Sequence, residues 1–168
     1  ATGGINTHKG LVFASAILCG ALGKVHAGRE LPLPFTDVLQ ECRRLGKCSL
    51  ADLHRPPNVQ TTLPTNGERI FTAYGIRGAR GEAAAGFPSA VQIGLPALRK
   101  WLSAGFSLND SAAMALLTLI SEVDDTNMVH RGGPELAKKR KEQAKILLSA
   151  VTKENFKETL YTLDHQYM

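Results

Sequence analysis

Three stretches of this 168-residue chain gather side chains able to do chemistry. The first is Gly3-Gly4-Ile5-Asn6-Thr7-His8-Lys9-Gly10, set directly before an apolar run. If that run is a helix, its free N-terminal N–H groups, with Lys9 beside them, suit a phosphate. An ordinary N-cap by Asn6 or Thr7 would look the same in sequence, and the residue order is not that of a Walker A loop. The second stretch is Gly75-Ile76-Arg77-Gly78-Ala79-Arg80-Gly81-Glu82, continuing to Gly86-Phe87-Pro88. Its glycines let backbone come close to a ligand, and its two guanidinium forks match phosphate oxygens. Glu82, among small residues, can hold magnesium or accept a proton. The third is Asp124-Asp125-Thr126-Asn127-Met128-Val129-His130-Arg131-Gly132-Gly133. On a continuous helix Asp124, Asn127 and His130 or Arg131 would share one face. The paired aspartates could bind magnesium and Arg131 a phosphate. The plainer alternatives are a solvated glycine-rich loop for the second stretch and an ion-paired helix end for the third.

The elements that must position these residues are helices. Apolar residues recur at helical spacing nearly everywhere and no alternating run appears, so the expected fold is all-α. It should be a multi-helix array with glycine-rich polar joints, and the length suits a single domain over residues 1–168. Lys9 to about Leu22 is apolar on most sides and should be a buried core helix. Thr36 should cap a helix through Val38, Leu39, Cys42 and Leu45 that Gly46 stops, and Ser49 a short turn ending before Pro56-Pro57. Residues 55–63 should form a loop, and Thr65 should cap a helix to about Ala73. Tyr74 to Pro88 should be irregular or broken helix. Ser89 should open a helix to about Ala104, bent or restarted at Pro96. The longest helix should run from Leu108 to about His130. Gly132-Gly133 should end it, and Pro134 should open another reaching about Val151. Thr152 should cap the last, with Phe156, Leu160 and Leu163 as its apolar stripe.

Hydrophobic content of 43% and charged content of 21% are those of a folded, soluble chain. A net charge of +5 and a pI near 9.3 favour a polyanionic partner, nucleotide or nucleic acid. The densest basic run, Lys138-Lys139-Arg140-Lys141 with Lys145, is interleaved with Glu135 and Glu142. It reads as a solvated helix face on which Glu135–Lys139 and Lys138–Glu142 can pair. No aromatic residues alternate with these charges and no nucleic-acid-binding motif occurs, so a nucleic-acid partner is not expected. Cys19, Cys42 and Cys48 lack metal-type spacing and cannot pair completely, which points to a reducing, cytoplasmic setting. The apolar stretch from Leu11 to Leu22 is short of the roughly 20 residues that span a bilayer, and no convincing cleavage context ends it. No membrane association is therefore expected.

The stretches GGINTHKG, YGIRGARGEAAAGFP and DTNMVHRGG resemble, in content, order and separation, the signature segments of triphosphoribosyl-dephospho-CoA synthases. The resemblance extends from residue 1 to at least Gly133. It implies an all-α enzyme in which the ribose 2′-hydroxyl of 3′-dephospho-CoA attacks the anomeric carbon of ATP's ribose and adenine leaves. The product is the prosthetic-group precursor for the acyl carrier protein of citrate lyase or malonate decarboxylase, and would pass to a transferase acting on that carrier. On this resemblance Lys9, Arg80 and Arg131 would take phosphates, and Asp124, Asp125 and Glu82 would hold a magnesium ion. Glu82 or Asp125 would be the base, with His8 and His130 in reserve. Gly4, Asn6, Thr7, Arg77, Gly81, Asn127 and Gly132 complete the expected substrate-binding set. Family segments of the Lys-Pro-Gly-Leu-Val and Ser-Pro-Gly-Gly-x-Ala-Asp kinds do not occur here, and the chain opens within a motif. The expectation is an incomplete family domain with exposed apolar surface, prone to self-association. Two rivals share the same residues: a magnesium-dependent, all-α nucleotide hydrolase, and a non-enzymatic basic helical binding module.

Overall fold

Helix boundaries in this chain are set by a few side-chain caps and by glycines, and the computed structural model shows them for residues 8–51, 64–152 and 154–167. Among the described residues every regular element is helical. The helices are α1 (Lys9–His26), α2 (Phe35–Ala51), α3 (Asn66–Tyr74), α4 (Gly78–Ala85), α5 (Leu95–Ser103), α6 (Leu108–Glu122), α7 (Thr126–Ala150) and α8 (Phe156–Tyr167). A π-helical turn, Ser89–Gly94, leads into α5, whose first turn carries Pro96 as the sequence suggested. The chain divides into two compact units, residues 1–88 and 89–168.

In the first unit α1, α2 and α4 pack on one another. Its core is Ala21, Val38 and Cys42, with Ile17, Val25, Leu33, Leu45 and Phe87 against them. Ile17, Ala21 and Val25 recur every four residues and make one stripe of α1. The rest of α1 departs from the buried-helix expectation: Leu11 is 67% exposed and Val12 63%. Its described neighbours cover only that one stripe. Running to His26, α1 is also longer than its apolar stretch suggests. By length and composition alone its 18 residues would suffice to cross a membrane, a property shared by soluble core helices and signal sequences.

Gly46 does not stop α2, which continues to Ala51 with Ser49 inside it. A Cβ at Gly46 would overlap the backbone of Ala83 and Ala84, so the glycine is where α2 and α4 meet backbone to backbone. Thr36 likewise lies inside the first turn, where the carbonyl of Pro34 accepts from Asp37 and Val38. The turn and loop expected over residues 52–63 lie outside the described residues.

The second unit is built on α5, α6 and α7. Trp101, Met114, Leu117, Ala144 and Phe156 form its core, with Phe106 edge-on to both Trp101 and Phe156 at centroid distances of 5.2 and 5.1 Å. The expected helix from Leu108 to His130 is two helices, because the chain is extended at Val123 and Asp125 caps α7. Gly133 breaks α7 at φ 78°, ψ 170°, a left-handed conformation that a side chain would strain, and Pro134 restarts it. Near the C-terminus Thr152 and Asn155 exchange backbone-to-side-chain hydrogen bonds at 2.7 and 3.3 Å, and Phe156 is buried behind them. The side chain of Leu163 lies outside the described set.

Candidate functional site

The glycine-rich arginine segment is held by its neighbours on both sides. Thr65 caps α3 with a full capping box: its hydroxyl accepts from the Glu68 N–H, and the Glu68 carboxylate accepts from the Thr65 N–H. Gly75 closes α3 in the left-handed conformation, and Arg77 begins α4. A Cβ at Gly81 would overlap that of Arg77, so Gly81 makes room for the Arg77 side chain across the first turn. Arg80 points back to α3, where Nη1 and Nη2 both donate to Glu68 Oε1 at 3.3 and 3.4 Å. The Glu68 carboxyl is held below the usual range first by the Thr65 N–H, then by the Thr65 hydroxyl and the Arg80 charge. At its far end α4 is tied to α2, Arg43 Nε donating to the Ala85 carbonyl at 3.1 Å. Gly86 and Phe87 turn sharply there, and the Phe87 N–H donates to the Glu82 carbonyl at 2.7 Å. Arg77 is exposed, whereas Arg80 and Glu82 are half-buried.

Of the first stretch, Gly4, Asn6 and Thr7 lie outside the described residues. His8 and Lys9 are exposed at the start of α1, and the His8 carbonyl accepts from the Val12 N–H at 2.9 Å. His8 occupies the cap position without a side-chain hydrogen bond to the helix.

The third stretch is arranged differently from the single helical face its spacing suggested. Asp125 Oδ1 accepts from the Asn127 and Met128 N–H groups at 2.6 and 3.3 Å, so the chain enters α7 at Thr126 and Asp124 stays off the helix. The face that survives is Asn127 with His130 and Arg131, at helical spacings of three and four. All three are exposed, as is Gly132. Asp124 instead pairs with Lys141 Nζ at 2.9 Å, with the aspartate 65% exposed. Lys145 pairs with Glu142 at 3.2 Å.

Among the described residues no three or more His, Cys, Asp or Glu side chains come together as a metal cage. Glu82 belongs to the first unit, and Asp124 and Asp125 are adjacent in the second. Magnesium that accompanies a nucleotide needs only one or two protein acids, with phosphates and water supplying the other ligands. Asp124, here paired with Lys141, and Asp125, whose Oδ1 caps α7, are acids of the right type.

Arg43, Gly46 and Glu68 support this constellation without standing in any of the three stretches. Glu68 had a sequence signal, Thr65-x-x-Glu68 before an apolar run. Gly46 and Arg43 had none, because both matter only through α4.

The profile of the CitG family, ATP:dephospho-CoA triphosphoribosyl transferase, matches residues 1–168. The chain belongs to this triphosphoribosyl transferase family. It is 37% identical over 139 residues to a protein of Photobacterium profundum, covering 80% of this chain and 42% of that protein. It is 36% identical over 162 residues to one of Streptococcus mutans, covering 88% and 53%. A protein of Streptococcus pyogenes is 38% identical over 158 residues, again 88% and 53%. Each is named "Probable 2-(5''-triphosphoribosyl)-3'-dephosphocoenzyme-A synthase". The chain therefore spans about half the length of the curated triphosphoribosyl transferase relatives it matches. No solved structure matches it.

Proposed function

We propose that this chain carries triphosphate-binding and acid–base residues of an enzyme that transfers the triphosphoribosyl group of ATP to the 2′-hydroxyl of 3′-dephospho-CoA. The observation that carries the reading is that one family profile runs through residues 1–168 and takes in all three polar stretches. The same continuity supports treating the two units as parts of one family domain. In the reaction the 2′-oxygen bonds to the anomeric carbon of ATP's ribose while the bond from that carbon to adenine breaks. The hydroxyl proton goes to a carboxylate, and adenine takes a proton from solvent as it leaves. An oxocarbenium-like state of this kind is stabilised by nearby negative charge and by cations that hold the phosphates still.

Glu82 or Asp125 is the base in this reading, and one Asp125 oxygen also caps α7. Lys9, Arg80 and Arg131 are the phosphate ligands in this reading, with Gly4, Asn6, Thr7, Arg77, Gly81, Asn127 and Gly132 lining the substrates. His8 and His130 remain proton carriers in reserve. Asp124 and Asp125 would hold magnesium, which when bound offsets the charge of the triphosphate. The cytosol is the proposed compartment, and a transferase loading the acyl carrier protein of citrate lyase or malonate decarboxylase the proposed recipient of the product. Exposed Leu11 and Val12 on α1 support self-association.

The test is adenine release from ATP with and without dephospho-CoA and magnesium, by this chain alone and within a polypeptide of the relatives' full length. Adenine released only when dephospho-CoA is present is the expected result. Phosphate instead of adenine from the longer polypeptide would make the protein a nucleotide hydrolase. Binding that ignores Glu82→Gln and weakens steeply with salt would make it a basic binding module.

A further inference from the structure

We propose that Glu68 is a positioning residue for the triphosphate of ATP, holding Arg80 in the rotamer from which its guanidinium receives phosphate. This rests on the proposed function and adds to it a residue outside the three polar stretches.

The two oxygens of the Glu68 carboxylate have separate tasks. Oε2 accepts from the Thr65 N–H at 2.7 Å and the Thr65 hydroxyl at 2.9 Å, which anchors the carboxylate to the first turn of α3. Oε1 takes both terminal nitrogens of Arg80 at 3.3 and 3.4 Å. Because the cap fixes the carboxylate, the guanidinium twelve residues further on is located too. An arginine docked in advance surrenders less side-chain freedom when an anion arrives than one that must find its rotamer then. The hold is also loose enough to share. Strong charge-assisted hydrogen bonds run near 2.7–2.9 Å. Here both nitrogens reach one oxygen at longer range, leaving donors of the five-donor fork for phosphate. The side chains are 31% and 33% exposed, so the pair is supported from beneath and open to an incoming anion.

Glutamine at this position has one acceptor and one donor end. If its oxygen stays on the Thr65 N–H, its NH2 faces the guanidinium, so Glu68→Gln keeps the cap and loses the hold on Arg80. Binding of ATP, tripolyphosphate and dephospho-CoA would be measured by calorimetry on the full chain for Glu68→Gln, Thr65→Ala, Arg80→Ala and the Glu68→Gln/Arg80→Ala double variant. Glu68→Gln should weaken ATP and tripolyphosphate by about three- to fivefold, as expected for loss of one partly exposed ion pair. It should leave dephospho-CoA unchanged and add nothing in the Arg80→Ala background. Thr65→Ala removes the hydroxyl but keeps the backbone N–H that holds Oε2 at 2.7 Å, so the carboxylate stays anchored and ATP binding should stay within about twofold. If Arg80→Ala weakens ATP and Glu68→Gln does not, the positioning role is overturned and the functional reading stands. If Thr65→Ala matches Glu68→Gln, or all ligands weaken together, Glu68 is only a structural cap. If Arg80→Ala leaves ATP binding intact, the phosphate role of Arg80 falls and this inference with it.

Discussion

Asp125 can be separated into its two possible roles by two substitutions. Asparagine keeps an acceptor oxygen at the cap of α7, whereas alanine removes it at a cost of about 1 kcal/mol. Asp125→Asn should therefore abolish adenine release with the melting temperature nearly unchanged, and Asp125→Ala should lose both. Glu82→Gln should abolish release with helical content by circular dichroism intact. Normal turnover in Glu82→Gln and Asp125→Asn together would remove the carboxylates from the chemistry. Glu68 makes the pH prediction. Its pKa is lowered in the folded chain, so its contribution to stability is complete above the ordinary glutamate value, about 4.3, and fades as pH falls through the lower folded value. Acid titration should loosen α3 in that window, and Glu68→Gln should flatten the dependence. The residue types of the site were legible in the sequence, since acids, amides and guanidinium groups beside glycines announce themselves. Their partners were not: nothing in the sequence ties Asp124 to Lys141 or Arg80 to Glu68, because those pairs exist only through the turns between helices.

At the scale of elements, two glycines should respond oppositely to the same substitution. Alanine in a helix interior gains about 0.5–1 kcal/mol over glycine. At Gly23 of α1 nothing lies within 4 Å of a new Cβ, so Gly23→Ala should raise the melting temperature. At Gly46 the Cβ would strike the backbone of Ala83 and Ala84, which cannot swing aside as a side chain can. Overpacking of that kind costs typically about 1–3 kcal/mol and outweighs the propensity gain. Gly46→Ala should therefore lower the melting temperature and, by pushing α4 away, weaken ATP binding as well. The same glycine explains one limit of the sequence reading. A glycine after a periodic apolar run is the usual mark of a helix end, and only the passage of α4 across α2 makes it a useful interior residue. The split of the long helix at Val123–Asp125 was hidden for a related reason. Aspartate reads equally as a surface residue of a continuing helix or as the cap of the next one. Where caps and breakers acted alone, at Thr65, Gly133 and Pro134, sequence and structure agree.

For the whole molecule, the two units have separate cores and can be followed separately. Cys19 and Cys48 are exposed and Cys42 is fully buried in the core of the first unit, where burial raises its thiol pKa. A thiol reagent should therefore label two cysteines quickly in the native protein and the third only as residues 1–88 open. Three equally fast thiols would contradict the packing of α1 on α2. The all-α class was evident in the sequence because helical periodicity needs no tertiary information. The exposure of α1 was not, since a helix apolar on most sides says nothing of how many neighbours it has.

Trp101 is the chain's single tryptophan, seated among Phe106, Met114, Leu117, Ala144 and Phe156. Optically the protein is thus lopsided: its tryptophan emission is a gauge of residues 89–168. A melting curve traced by fluorescence times the loss of that half, while the slow labelling of Cys42 times the other, and the interval between the two clocks measures how tightly the halves share one fate.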